Sequence, residues 1–376
     1  MNKHNDSDLI VILRTLPDPR VKRTRLHNLE DILAIALCAM LCGAESFEDM
    51  EEFGVAKEVW LRRFLELPNG IPSHDTFNRL FSTLNPKVFL TAFMEWTQSV
   101  RKAFGSEVVA LDGKALRRAL NAGEQARVVV GAWACSNALS LGQVQVDEKS
   151  NEITAIPKLL RVLELRGCIV SIDAMGCQKK IAREIVEAEA DYMLALKGNH
   201  PEVHAEVKRY LDDAIMRDNP SLDYHEEIDK GHGRVEIRRC WQSVEVDWFA
   251  GHDEWVGLRS FVAVECERTQ GNKTSVERRY FLSSLGLKAA EAARAVRSHW
   301  GIENKLHWVL DVVFNEDQSR ARTKYAAQNL SALRRWAMNI LRAADTKKKR
   351  SLKGRRKKAG WDNDYLLHLL KINLDA

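Results

Sequence analysis

Residues 108–113 read VVALDG, four apolar residues followed by an aspartate and a glycine. A short apolar run without alternation is the pattern of a strand buried on both faces, here with Asp112 projecting at its C-terminal edge. CIVSIDAMG at 168–176 repeats the form and ends on Asp173. Between them, ARVVVGAWAC (126–135) and LGQVQVD (141–147) read as two more strands joined by a polar turn around Ser136 and Asn137, an antiparallel hairpin arrangement. A helix is expected from about Ala155 to Arg166. A second, Lys179 to Ala190, leads into a fifth strand, YMLALKG (192–198). The order is three strands, helix, strand, helix, strand. Acids at strand ends of an open α/β sheet lie where such sheets keep their sites.

A third acid comes from further along the chain. RSHWGIENKLHWVLDVVFNED, Arg297 to Asp317, reads as a helix whose Ile302, Leu306, Val309 and Val313 draw an apolar stripe at helical spacing. Glu303 sits one position round from Ile302, at the boundary of the buried face. His299, Glu303, His307 and Asp311 recur every four residues and line one flank. Glu316 and Asp317 read as helix-end and packing residues.

Two strand-end aspartates and a glutamate on a packed helix, brought together, would repel one another unless a cation sat among them. Oxygen ligands point to Mg²⁺ or Mn²⁺, and a pair of such ions can activate water and stabilise in-line displacement at a phosphodiester. His299, Glu303 and His307 also have the spacing of a helical zinc site. That reading lacks the adjacent glutamate of the metalloprotease motif and leaves Asp112 and Asp173 without a role. Lys114 and Arg117 are placed either to hold a phosphate or to solvate a helix start. Lys197, Asn199 and His200 close the fifth strand on the same edge and are read as DNA contacts. Trp300 and Trp308 flank the glutamate and could stack on a displaced base.

The rest of the chain sets the context. At 376 residues, 45% apolar and 29% charged, it is long enough for two or three domains with a sizeable core. The longest apolar run, Ile32 to Ala44, is too short for a membrane span, which needs about 20 residues. With no signal pattern at MNKHNDSDLI and seven scattered cysteines lacking a CxxC pair, the reading is a cytoplasmic protein with buried thiols. The net charge of +5 is misleading: KKKRSLKGRRKK, Lys347 to Lys358, holds nine basic residues, so the remainder is net acidic. Such a block reads as a solvated arm for nucleic acid, with Lys347, Lys348, Lys349, Arg350, Arg355 and Arg356 as its contacts.

Residues 8 to 104 read as all helical. An Asn28-capped helix runs through Met40, a second segment spans Phe47 to Leu67, and Ser73 caps a helix carrying Phe77, Leu80, Phe81 and Leu84. IPSHDTFNRLF (71–81) has the shape of a turn into the second helix of a helix-turn-helix module, with a plain helical bundle as the equal alternative.

ALDGKALR, VSIDAMGCQKKIA, ADYMLALKGNHP, HGRVEIRR and RSHWGIENKLHWVLDVVFNED, in that order, closely resemble bacterial insertion-sequence transposases of the DDE type, specifically the H-repeat-associated group. The resemblance covers nearly the whole chain. It implies an α/β fold with an RNase H-like mixed sheet and flanking helices, an all-helical N-terminal domain (1–104), and a catalytic domain (105–345). Within the catalytic domain it implies a β-rich insertion (about 220–285) before the glutamate helix, and after it a basic arm and C-terminal helix (346–376). It also implies Asp112, Asp173 and Glu303 as a catalytic triad binding two Mg²⁺ or Mn²⁺ ions. The implied activity is cleavage and strand transfer on DNA carrying the element's terminal repeats and target DNA, by a homodimer. Where the wider superfamily has Tyr, Arg and Lys around the glutamate, this chain has Val296, His299 and Leu310. Arg297, His299 and Lys305 are the available substitutes for gripping phosphate. The competing readings are an inactive transposase-derived DNA-binding protein and a nuclease of the same fold that cuts without joining.

Overall fold

The computed structural model describes residues 9–101, 107–118, 127–146, 151–231, 233–344 and 350–371. Nine strands make one mixed sheet: β1 (Val108–Leu116), β2 (Arg127–Ala134), β3 (Leu139–Gln145), β4 (Ile169–Ile172), β5 (Asp191–Leu196), β6 (Asp223–Gly231), β7 (Arg234–Ser243), β8 (Ser260–Gln270) and β9 (Lys273–Ser283). Their spatial order is β3-β2-β1-β4-β5-β9-β8-β7-β6. β1, β4 and β5 run parallel; β2 pairs antiparallel with β1, and β3 antiparallel with β2 at the edge. This five-strand half is the RNase H-like core. The insertion continues it: β9 pairs antiparallel with β5, and β8, β7 and β6 follow as a meander.

VVALDG does not end its strand at Asp112. β1 runs on to Leu116 because β2 pairs with it all the way, whereas the parallel ladder to β4 stops at Leu111↔Ile172. Asp112 is therefore a mid-strand residue with one neighbour gone. By that register Asp173 is the next residue on the other side.

Strand alternation sends side chains to two cores. Val109, Leu111, Val170 and Ile172 face a cluster closed by the helices Glu152–Leu160, Lys179–Glu187 and Pro201–Met216. For Pro201–Met216 the sequence reading named no element. Its signals were Pro201 at the first helical position and Val207, Leu211 and Ala214 at helical spacing. On the opposite face, Val108 and Ile169 meet the helix Ala289–Gly301, while Ala110 and Trp133 meet Ile302, Leu306 and Val309.

The N-terminal region is helical: Leu9–Arg14, Leu29–Cys42, Phe47–Leu61, His74–Thr83 and Pro86–Val100. Leu29–Cys42 is apolar nearly all round, the pattern of a helix enclosed by others. It packs against Phe47–Leu61, Ala326–Ala343 and Leu352–Trp361. Residues 62–73 separate Phe47–Leu61 from His74–Thr83, far more than the three or four of a helix-turn-helix connection, and Phe77, Leu80 and Phe81 are buried in the shared core. The geometry is the bundle alternative.

Half of the expected basic arm is a packed helix. Leu352–Trp361 is N-capped by Ser351, whose Oγ accepts from Gly354 N. Arg356 is buried and donates to the Met40 and Ala44 carbonyls at 2.9 and 3.3 Å, and to that of Val313. Those carbonyls lie at ends of helical segments, which leave acceptors without intrahelical donors. Burial holds the Arg356 guanidinium down to about 10, against its ordinary range. Arg355 likewise donates to Leu341 and Ala344 carbonyls. Both side chains are spent inside the protein, while Arg350, Lys353 and Lys357 stay exposed. Lys347, Lys348 and Lys349 lie outside the described residues. Among the described residues, no helix is long and apolar enough to cross a membrane.

Candidate active site

The glutamate helix is built in three parts: α-helix Ala289–Gly301, a π-helical turn Ile302–His307 and α-helix Trp308–Val312. It ends short of the expected Asp317, because Asn315 takes a left-handed conformation (φ 53°) and Glu316–Gln318 forms a separate 3₁₀ turn. Ile302, Leu306, Val309 and Val313 are all buried, as their spacing predicts. π turns inside α-helices occur frequently at functional sites, and this one carries Glu303.

The flank at every fourth residue lies across the sheet, and three of its four members, His299, His307 and Asp311, each meet a different strand residue. His299 Nδ1 is 3.0 Å from Ser171 Oγ on β4. His307 Nδ1 is 3.0 Å from Glu303 Oε2 and 3.5 Å from Asp112 Oδ2 on β1. Asp311 accepts from Lys114 Nζ at 2.7 and 2.9 Å, two residues along β1 from Asp112 and on the same face. The zinc grouping does not form, since His299 turns to Ser171 and away from His307.

Asp112, Glu303 and His307 present ligand atoms that all lie within 4.8 Å of one another. Asp112 also accepts from Gly113 N at 2.9 Å. Burial, followed by the charge of Asp173 and then that of Glu303, pushes the Asp112 carboxyl up to about 7. A carboxyl held so high is short of a positive neighbour, and a divalent cation would supply one. Burial lowers His307 towards the neutral imidazole, and its Nε2 is enclosed without a partner. The donor set thus includes a nitrogen where the sequence pointed to oxygen alone. The residues fit a Mg²⁺- or Mn²⁺-type ion, with the imidazole favouring the latter.

Asp173 stands apart from this trio, exposed just past β4. Its Oδ1 accepts from Met175 N at 3.1 Å, capping the 3₁₀ turn Ala174–Gly176. That loop is clamped from the end of β5: Asn199 donates to the Ala174 carbonyl, and His200 Nε2 donates to the Cys177 carbonyl at 2.7 Å while its ring packs edge-on against Trp255. His200, half-buried, therefore holds the Asp173 loop, while Lys197 and Asn199 are exposed.

The remaining expected DNA contacts divide the same way. Lys114 is buried between Asp311 and Asp317, so its charge is already matched. Arg117 is exposed and reaches Asp317 at 3.4 Å. Arg297 pairs with Glu227 and Asp229 on β6 at 2.6 and 2.9 Å. Lys305 is exposed beside Glu303. Trp300 and Trp308 are about half exposed, and the Arg279 guanidinium stacks 4.9 Å from the Trp300 ring. Glu316 is buried against Arg335 at 3.2 Å and Ser331 at 2.9 Å, a packing role.

One acid near the site was not singled out in the sequence. Glu152 opens the helix after β3 and comes to Gly113 from the face of the sheet opposite Glu303. Its signal was faint: an acid at a helix start, in SNEITAIP.

The five-strand half of the sheet, with Asp112 on its central strand and Glu303 on a helix packed across it, is the setting in which the family matches fall. Residues 103–340 match the transposase DDE domain family, and residues 10–97 match the DDE_Tnp_1-associated family that accompanies it. The chain belongs to the transposase DDE domain family. The "H repeat-associated putative transposase YhhI" of Escherichia coli (strain K12) is 38% identical over 368 residues, 94% of this chain and 95% of that protein. An "Uncharacterized protein in dhlA 3′region" of Xanthobacter autotrophicus is 46% identical over 275 residues, 72% of this chain and 92% of the relative. The cryo-EM structure of a piggyBac transposase synaptic complex with hairpin DNA aligns with all of this chain and 80% of its own at 10% identity, with a TM-score of 0.45.

Proposed function

We propose that this protein is the transposase of an insertion sequence, cutting DNA at the element's ends and joining the freed 3′ ends to target DNA by transesterification. The observation that supports the reading is the convergence of Asp112, Glu303 and His307, whose ligand atoms lie within 4.8 Å of one another, with the charge of Asp173 near enough to raise the Asp112 carboxyl. Asp112, Asp173 and Glu303 are the groups that would hold Mg²⁺ or Mn²⁺, which supplies activation of water or a 3′ hydroxyl and stabilises charge on the leaving oxygen. Glu303 is mostly exposed, and its Oε2 lies 3.0 Å from His307 Nδ1. His307, sealed beneath, fixes the Glu303 and Asp112 carboxylates against each other. Asn199 and His200 hold the Asp173 loop in place. Lys197, Lys305 and Arg117 border the acids as exposed cations and are the proposed phosphate contacts. Arg350, together with Lys347, Lys348 and Lys349, forms the proposed outer contact. The protein acts as a homodimer because two element ends must be joined together, and it works in the cytoplasm at the nucleoid.

The test is Mn²⁺-dependent cleavage and strand transfer on DNA carrying the element's own ends, comparing wild type with Asp173→Asn and Glu303→Gln. Cleavage and joining by wild type, each reduced at least ~10³-fold in both variants, is the expected result. Binding without cleavage would move the assignment to a DNA-binding relic. Cleavage without joining would move it to a nuclease.

A further inference from the structure

The stretch QSRARTK, Gln318 to Lys324, follows the glutamate helix and has no part in the site described above. It joins the 3₁₀ turn Glu316–Gln318 to the helix Ala326–Ala343 and lies against the far end of β1. Arg127, at the start of β2, donates from Nη1 to the Lys324 carbonyl at 2.9 Å and from Nη2 to the Arg322 carbonyl at 3.4 Å. Arg322 Nε donates to the Arg118 carbonyl at 3.2 Å, across 204 residues of sequence. Ala321 packs against the core, while Arg320, Arg322 and Lys324 around it are exposed, as is Arg118. Four exposed cations from two distant segments are therefore held at one place.

Elsewhere the chain matches its arginines. Arg239, Arg278, Arg279 and Arg297 each meet a carboxylate within 3.1 Å. Among the described residues no carboxylate pairs with Arg118, Arg320, Arg322 or Lys324. The bonds that pin the segment go to carbonyls, which leave its charge in place. Glu45, Glu48 and Asp49 line a groove with Arg320 and Arg322 without pairing with either. Glu45 accepts from Asn315, and Asp49 accepts from the Ser46 N–H at the start of its own helix. Unmatched like charges gathered on a surface repel one another, and a polyanion is the partner that relieves them. The position says which polyanion. Arg118 follows Asp112 by six residues, at most about 20 Å of strand at ~3.3 Å each. That is roughly six base pairs of duplex at ~3.4 Å each.

We propose that Arg118, Arg320, Arg322 and Lys324 form a contact surface for the phosphate backbone of the element-end duplex, about half a helical turn from the phosphate cut at Asp112. This rests on the transposase reading above. Continuity with β1, and with Arg117 beside Arg118, favours DNA over an acidic peptide. The guanidinium fork of arginine matches the oxygens of a phosphate. Arg127 is a positioning residue: bound to two carbonyls, it sets where the charges of its neighbours stand.

The experiment measures binding of the full-length protein, in EDTA, to a duplex carrying the element's end and to an unrelated duplex of equal length, over a salt series. The variant combines Arg118→Gln, Arg320→Gln and Lys324→Gln, whose side chains make no hydrogen bond or ion pair among the described residues, so its thermal midpoint should match wild type. On the element-end duplex its log-log salt slope should become shallower by about 2.7, at ~0.9 per contact. Phosphate-ethylation interference on that duplex should show wild-type contacts roughly six base pairs from the cut, lost in the variant. Should the triple variant melt earlier, Arg320→Gln alone decides the matter by a change of about 0.9. An unchanged slope, or a loss confined to the unrelated duplex, overturns the surface and leaves the transposase reading standing. Failure of folded wild type to prefer the element end over unrelated DNA overturns both.

Discussion

Two clusters of charge gather around the glutamate helix, one at Glu303 and one at Asp311, and they are balanced in opposite ways. At Asp311, Glu316 and Asp317 every acid meets a cation of this chain: Lys114 serves Asp311 and Asp317, and Arg335 serves Glu316. At Asp112, Asp173, Glu303 and Glu152 no lysine or arginine among the described residues forms an ion pair with the acids, and burial with mutual repulsion drives Asp112 to about 7. Both clusters hold partly or fully buried acids, so burial alone does not distinguish them. The first is finished as a structure. The second is left short of positive charge, which is what a site awaiting a cation requires.

The largest effect that would sharpen this contrast is at Arg335. It and Glu316 are both fully enclosed, and Ser331 adds a hydrogen bond to the same carboxylate oxygen. Arg335→Met would leave Glu316 buried and uncompensated, at a cost of ~3–5 kcal/mol. Glu316→Gln with Arg335→Met together should recover much of that loss. Denaturant unfolding of the single and double variants measures it, and a single variant within ~1 kcal/mol of wild type would remove the distinction between the clusters.

Asp112 should respond with the opposite sign. The folded protein keeps its proton up to about pH 7, whereas the unfolded chain releases it near the ordinary 3.8. The native state binds the extra proton across that window, so stability without metal falls as pH rises through it. Asp112→Asn should therefore stabilise the EDTA-treated protein at pH 8, by on the order of a few kcal/mol, and change little below pH 4. The same substitution should abolish cleavage. A variant less stable than wild type at pH 8 in EDTA would show the acids to be structurally content without a cation.

The same contrast explains what was legible in the sequence. Asp112, Asp173 and Glu303 stood out as candidates because strand-like runs and a helical stripe are local patterns, and each acid stands at a marked place in one. What each cation meets is not local. Lys114 sits two residues from Asp112 and read equally well as a phosphate contact, yet its partners Asp311 and Asp317 arrive from nearly 200 residues away. Arg355 and Arg356 sit in a run that reads as solvated, but the helix Leu352–Trp361 turns them onto the carbonyl ends of other helices and leaves Lys353 and Lys357 outside. Glu152 was hidden for a different reason: it meets Gly113 across a layer boundary, and neither residue is unusual alone. Of the two equal readings of 71–81, the geometry favours the helical bundle, because twelve residues, 62–73, precede His74 and Phe77, Leu80 and Phe81 lie in the shared core.

The smallest expected effect tests the outward-facing half of the comparison. Arg350, Lys353 and Lys357 are exposed, and the last two belong to a helix whose inner face is already anchored by Arg356 and Ala359. Lys353→Ala with Lys357→Ala should leave stability within ~0.5 kcal/mol. If both lysines touch phosphates, the log-log dependence of DNA affinity on salt should become shallower by roughly 2, at about 0.9 per contact. Lys114→Met should leave that slope unchanged, because its ammonium is held by two carboxylates and is shut away from solvent, while costing ~1–3 kcal/mol of stability. The two measurements divide the chain's cations by where their charge is used. A slope changed by Lys114→Met and not by the outer pair would reverse the assignment and send the buried lysine to the phosphate.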